Sequence, residues 1–387
     1  MRRPPRSIVH RLLVLSVFLT CLRCGPADPS PFPDVGDRDG RVATLTRDSA
    51  GGYYAWQGQP PAPLVGASNR TVPFLDGRYR EDLAYLAKTG GDYVRTELTD
   101  AGGSEQFWGA LSQFVDYAAD LGVAVEIDVW DVDSIAAGQF DSLTRALTGR
   151  QLYDGSGEAT FVVGEHPFLQ TVPEAIAYDA TLTDLLTAQQ ARVDRLLRAT
   201  AGRGNVIYNL DVPAPLYIPW MVYWARYLEE RLPNSALVNA AVTSPPRLSV
   251  AGFNQAVLGG AAVAYHRPPP HGNGMNGLAL TSLRGIRTIE RHLSFAELSP
   301  APHLLTNDSP ARAAQDPAGN ILIYLPTAGS VSVYPEWADE PTVDVTVVGY
   351  LGTQRTEVLE PPYGEQFTLY TDEDKGGWMM LRPRRTN

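Results

Sequence analysis

Asn205-Val206-Ile207-Tyr208-Asn209-Leu210-Asp211-Val212-Pro213 is the stretch that decides the architecture. After a break at Gly202-Arg203-Gly204, the short apolar run Val206-Ile207-Tyr208 ends in polar residues, the pattern of a buried strand. Helical periodicity covers residues 183–198 before it, and a second helix is predicted over about 217–231, after a Pro-flanked loop. Strand, loop and helix in that order make one β/α unit. In a β/α barrel, functional residues gather at the C-terminal ends of the strands. Here that end carries Asn209 and Asp211.

Similar units extend both ways. Upstream, residues 41–46 alternate, Gly51-Gly52 turns the chain and residues 53–56 return, which predicts a hairpin. Residues 63–68 form a first buried strand, 92–98 a second, and 123–131 (VAVEIDVWD) a third, with Gly90-Gly91 and Gly122 ending the helices between them. Residues 133–173 are a long irregular excursion, of a length that commonly serves as a lid. Downstream, 237–242 reads as a fifth strand, 250–257 is ambiguous, 260–266 is a further strand, and a helix over about 283–298 closes the set. The span from 63 to 298 is close to the roughly 250 residues of a (β/α)8 barrel. Its later units are short, so the expected α/β fold is a TIM-type barrel of irregular build. From about residue 304 the period changes to two, with short strands at 320–325, 330–334, 342–348, 367–370 and 378–381. These predict a small C-terminal antiparallel β-sandwich. The expected domains are a signal peptide at 1–24, a linker at 25–40, hairpin plus barrel at 41–303, and the sandwich at 304–387.

The formal charge is −11, and Arg2, Arg3, Arg6, Arg11 and Arg23 all lie in the acid-free leader, so the chain without it is more acidic still. Nucleic acid and anionic membrane surfaces need a positive face and are excluded as partners. The basic stretch 1–11 followed by the apolar run 12–22 reads as a secretory signal, which predicts an exported protein, extracellular or periplasmic. Cys21 and Cys24 are the two cysteines, so no disulfide framework holds the fold. Membrane contact is expected only through a lipid on one of them, although neither Thr20 nor Arg23 is the small residue that such a site prefers.

Alternation along each strand separates a lumen face from a helix-facing one. Tyr93, Arg95 and Glu97 share a face in the second strand, Glu126, Asp128 and Trp130 in the third, and Ile207, Asn209 and Asp211 in the fourth; His266 ends a later strand. Arg95, Asp128, Trp130, Asn209, Asp211 and His266 are therefore expected to ring one cleft. An aromatic ring beside carboxylates and an arginine suits a sugar, which stacks one face and hydrogen-bonds its hydroxyls. Each has a plainer reading: a structural ion pair for Asp128 with Arg95, a core position for Trp130, a loop hydrogen bond for His266. No cofactor or metal is expected. The Gly-rich HGNGMNG at 271–277 lacks the lysine and the strand-to-helix context of a phosphate loop.

The words GGYYAWQGQPPAPLVGASN (51–69), GNILIYLPTAGSVSV (319–333) and GGWMMLRP (376–383) resemble those of apiosidase-like glycosidases. The resemblance implies a hairpin that plugs the barrel floor and a C-terminal sandwich of the kind sometimes labelled collagen-binding. The fourth strand resembles that of cellulase-like (clan A) glycosidases, whose NVIY-E-x-x-NE ends in the acid/base glutamate. Aligned so, Asn209 stands for the first glutamate, Val212 for the asparagine and Pro213 for the catalytic glutamate. Arg95 matches a strand-two arginine that helps to hold the nucleophile. That nucleophile comes from the seventh strand in clan A, yet no Asp or Glu occurs between Arg231 and Ile289.

Glycosidases need two carboxylates, about 5–5.5 Å apart to retain configuration or about 6.5–9.5 Å to invert it. Three readings follow. The first is a degenerate glycosidase that binds carbohydrate without cleaving it. The second is an active hydrolase with relocated carboxylates, Asp211 as acid and Asp128 as base for water; the long loop also holds acids, such as Asp154, Glu158 or Glu165, that would replace the lost glutamates if it folds over the cleft. The third is a surface adhesion protein that acts through the sandwich.

Overall fold

The structure is a computed structural model and describes residues 44–384, apart from 49–52, 70–72, 76, 99–103, 131–139, 149–166, 174–179, 211–217, 233–236, 240–249, 262, 267–276, 307–308, 338–341, 350–351, 361–364, 373 and 375. The leader and linker lie outside the described residues.

The chain opens with the expected hairpin, β1 (Leu45–Arg47) paired antiparallel with β2 (Tyr54–Trp56). Six parallel strands follow among the described residues: β3 (Leu64–Asn69), β4 (Tyr93–Glu97), β5 (Ala124–Asp128), β6 (Val206–Asn209), β7 (Leu237–Asn239) and β8 (Val263–His266). Their order, β7-β6-β5-β4-β3-β8, brings the last strand back beside the first, as closure of a barrel requires. The helices are α1 (Tyr79–Lys88), α2 (Glu105–Asp120), α3 (Phe140–Thr148), α4 (Ala180–Thr200), α5 (Ile218–Glu229), α6 (Val250–Leu258) and α7 (Gly277–Glu290). The ambiguous stretch at 250–257 is thus helical, and the closing helix ends earlier than residue 298. β7 holds the fifth position and β8 the eighth. Between them the described residues include α6, and residues 240–249 and 262 lie outside the described residues.

The sequence builds these units by a repeated device. Ser104 caps α2 by accepting from the Phe107 N–H at 3.2 Å, and Phe107, Leu111, Phe114, Val115 and Ala118 form its buried stripe. Four returns from helix to strand pass through a left-handed glycine: Gly90 (φ 96), Gly122 (φ 69), Gly202 (φ 88) and Gly260 (φ 87). On the lumen side, Leu64, Tyr93, Ala124 and Ile207 from four strands pack with Leu45 and Tyr54 of the hairpin. The hairpin therefore plugs the floor of the barrel, as the resemblance implied.

An ion cluster ties the last helix to the first two strands. Arg287 of α7 donates to the Gly90 carbonyl at 2.7 Å and lies 2.7 Å from Asp92 and 2.5 Å from Glu290. Asp92 in turn accepts from the Val65 N–H at 2.9 Å. Burial pushes the Asp92 carboxyl up to about 6, against the downward pull of the Arg287 charge and the Val65 N–H.

The C-terminal part is antiparallel. β9 (Ser299–Pro300), β10 (Arg312–Gln315), β11 (Ile321–Leu325), β13 (Val343–Gly349), β14 (Gln354–Leu359) and β16 (Gly377–Pro383) form a six-stranded sheet in the order β14-β13-β16-β11-β10-β9. β12 (Gly329–Val333) and β15 (Phe367–Thr371) form a two-stranded sheet. Between the sheets lie Ile321, Ile323, Val331, Val333, Leu369 and Met379. The opposite face of the large sheet presents Leu322, Tyr324, Trp378 and Met380 to the barrel core, where Leu283, Ile286 and Phe295 lie. β11 and β16 are thus buried on both faces, which explains their unbroken apolar runs.

Barrel and sandwich therefore share a core. Excising residues 304–387 would expose Leu322, Tyr324, Trp378 and Met380, whose burial is worth on the order of 10 kcal/mol. The fragment is expected to aggregate or remain unfolded; a soluble fragment with a cooperative melt would refute the shared core. Adhesion through the sandwich must accordingly be tested in the whole chain.

Candidate functional site

Register brings the polar ends of the central strands together. Arg95 pairs with Glu126, while Glu97 pairs with Asp128 and Asp128 with Asn209. All lie in the row of Tyr93, Ala124 and Ile207, the lumen row, one or two steps above the plugged floor. Asp128 is 0 % exposed, and both of its oxygens accept from Arg95 Nε, at 3.1 and 2.9 Å. Arg95 Nη2 lies 2.9 Å from Asp128 Oδ1, which also accepts from Asn209 Nδ2 at 2.5 Å. One layer deeper, Glu126 Oε1 stands 3.5 Å from Arg95 Nε.

A buried carboxylate persists only with a cation and hydrogen-bond donors around it, and the planar guanidinium supplies both. Arg95 thus serves Asp128 first and Glu126 second. The charge of Glu126 reaches the floor: Tyr54 on the hairpin is pushed up to about 12 by burial first and by Glu126 next. Glu97, at the open end of β4, is buried at 9 % exposure.

The structure brings together Arg95, Asp128 and Asn209 from the expected ring. Trp130 does not join them. β5 ends at Asp128, so the strand alternation that put Trp130 on the lumen face no longer applies. Its indole packs instead against Phe168, Trp220 and Trp224, with ring centroids 5.9, 5.3 and 5.1 Å away, and Arg192 lies 5.8 Å above it. His266 pairs in register with Ala67, and its side chain lies outside what the structure describes. Asp211 lies outside the described residues, as do Asp154, Glu158 and Glu165. The described parts of the 133–173 excursion pack on the barrel's outer wall. α3 lies against α4, Gln189 Nε2 of α4 donates to the Phe168 carbonyl at 3.0 Å, and Trp220 Nε1 of α5 donates to Thr171 Oγ1 at 3.2 Å.

Glu126 and Glu97 are the lumen residues that sequence reasoning placed on the right face but did not select. Their signal was the same two-residue alternation that selected Asp128. Among the described residues, no group of three His, Cys, Asp or Glu side chains is arranged to hold a metal ion.

Parallel strands around a plugged floor, with a polar lumen at the strand C-termini, define a TIM-type β/α barrel. Solved structures share the fold, among them the following two. One, described as a glycoside hydrolase, superposes with a TM-score of 0.52 at 10 % identity, covering 89 % of this chain and 98 % of that one. A glycoside hydrolase family 5 protein from Bacteroides vulgatus gives 0.50 at 11 % identity, over 87 % and 92 % of the two chains. No protein-family model and no curated protein sequence matches the chain.

Proposed function

We propose that the protein is an exported, glycoside-hydrolase-like barrel that binds carbohydrate and lacks the usual acid/base and nucleophile. One observation carries this reading: Asp128 is enclosed and its two oxygens are engaged by Arg95 and Asn209. A general base must reach a water on the sugar, whereas this carboxylate is committed to the barrel's own groups. The usual catalytic positions support the same reading. Pro213 stands where the acid/base glutamate would be, and the segment that must supply the seventh position carries no acid. The polar lumen then acts through shape and hydrogen bonding, with Arg95, Asn209 and Glu97 nearest a sugar's hydroxyls. Export rests on the basic and apolar leader, with a lipid on Cys21 or Cys24 as the only membrane link.

A second reading keeps catalysis, on the observation that Glu97, Glu126 and Asp128 crowd one lumen around Arg95. In that case Asp211 is the acid and Asp128 the base. Incubation with a panel of plant and microbial polysaccharides separates the two. Retention without reducing-sugar release is the expected result. Release that disappears in Asp211→Asn would overturn the degenerate reading and establish relocated carboxylates. The anomer released would then give the stereochemistry.

A further inference from the structure

The two-stranded sheet of the sandwich has an outer face that the barrel reading does not use. Val331, Val333 and Leu369 point into the sandwich core. The alternate residues Ser330 and Ser332 of β12, with Thr368 and Tyr370 of β15, therefore face outward, and Tyr334, the residue after β12, is exposed. Ser330 pairs with Tyr370 and Ser332 with Thr368, whose hydroxyls lie 3.2 Å apart. Tyr370 is 68 % exposed and Tyr334 43 %. The two rings stand at opposite ends of the face, about 13 Å apart along the strands at roughly 3.3 Å per residue. Beside Tyr370 a depression is lined by Ser330, Arg355 and Asp372.

We propose that this face is a second carbohydrate site, which takes a run of several sugar units from a neutral polysaccharide. The proposal rests on the carbohydrate reading above and extends it to a surface remote from the lumen. An exposed aromatic ring stacks on the apolar face of a pyranose. Two rings separated by a hydroxyl row suit a chain that stacks at both ends and hydrogen-bonds between them. A protein partner fits less well, since the middle of a protein interface is apolar and the middle of this face is Ser332 and Thr368. Nucleic acid is disfavoured by Asp372 and by the chain's net charge of −11. Arg355 and Asp372 supply a donor and an acceptor for hydroxyls at the Tyr370 end.

The test uses the whole chain and four variants: Tyr334→Ala, Tyr370→Ala, the double variant, and Tyr85→Ala as a control. Tyr85 is 49 % exposed on α1, away from this face. Binding is measured by pull-down on cellulose and chitin and by affinity electrophoresis in xylan and mannan, with melting temperatures alongside. Each single change on the face is expected to weaken retention on the best ligand by roughly tenfold, the double change by more, and Tyr85→Ala by nothing. A double variant that binds like the wild type would overturn this site and leave the lumen reading standing. Equal loss in Tyr85→Ala would overturn it as non-specific adsorption. A wild-type protein retained by none of these polysaccharides would overturn both readings.

Discussion

Arg95→Met is expected to destabilise the protein by roughly 3–5 kcal/mol, because it leaves buried carboxylates without their cation. Arg95 lies between Asp128, which it holds through both oxygens, and Glu126 at 3.5 Å. The amide of Asn209 is neutral, so its bond to Asp128 does not replace the lost positive charge. Denaturant unfolding of the variant measures the loss. The double variant Arg95→Met/Asp128→Leu should regain part of it, since removing both partners costs less than removing one. A loss below about 1 kcal/mol, the value typical of an exposed pair, would show that water reaches Asp128. The case for a working base would then be stronger.

Arg287→Met is expected to cost on the order of 3 kcal/mol, at the low end for a buried pair because Asp92 keeps some exposure. The pH dependence carries more information. Asp92 titrates near 6 in the fold, above its ordinary value of 3.8. Its contribution therefore favours the fold most at acid pH and is lost as pH rises through about 6. Without Arg287, nothing of that charge pulls the carboxyl down, so ionisation costs the fold more. The deficit of the variant should be smallest near pH 4 and grow through neutrality. A deficit that does not change with pH would mean that Arg287 acts through its bond to the Gly90 carbonyl and through packing, not through charge.

The two clusters differ in what they do. The Arg287 cluster lies at the closed end, where α7 meets β3 and β4, and joins the end of the barrel to its start. The Arg95 cluster lies at the open end, where function is expected. There Asp128 is enclosed and held by Arg95 and Asn209.

Local signals determined much of the architecture. Glycine after four of the helices, apolar runs of strand length and the amphipathic stripe over about 107–121 are properties of neighbouring residues, and each places its element within a few positions. The same alternation put Arg95, Glu126, Asp128 and Asn209 on one face before any strand pairing was known. Strands β9, β10 and β14 escaped because edge and small-residue strands carry little apolar signal: β14, QRTEVL, is almost wholly exposed. The segment at 250–258 was ambiguous because a buried helix and a buried strand are equally apolar.

Tertiary structure alone decided the rest. Trp130 follows the strand's alternation in the sequence, but β5 stops two residues before it and the indole is claimed by Trp220 and Trp224, ninety residues onward. Whether Asp128 is a base or one half of an ion pair depends on the reach of Arg95 from the neighbouring strand, a distance that no spacing along the chain encodes. The sandwich reads as a separate domain from its period, yet Trp378 and Tyr324 bury against barrel residues. Periodicity reports which residues avoid water; only the packed fold determines what they meet instead.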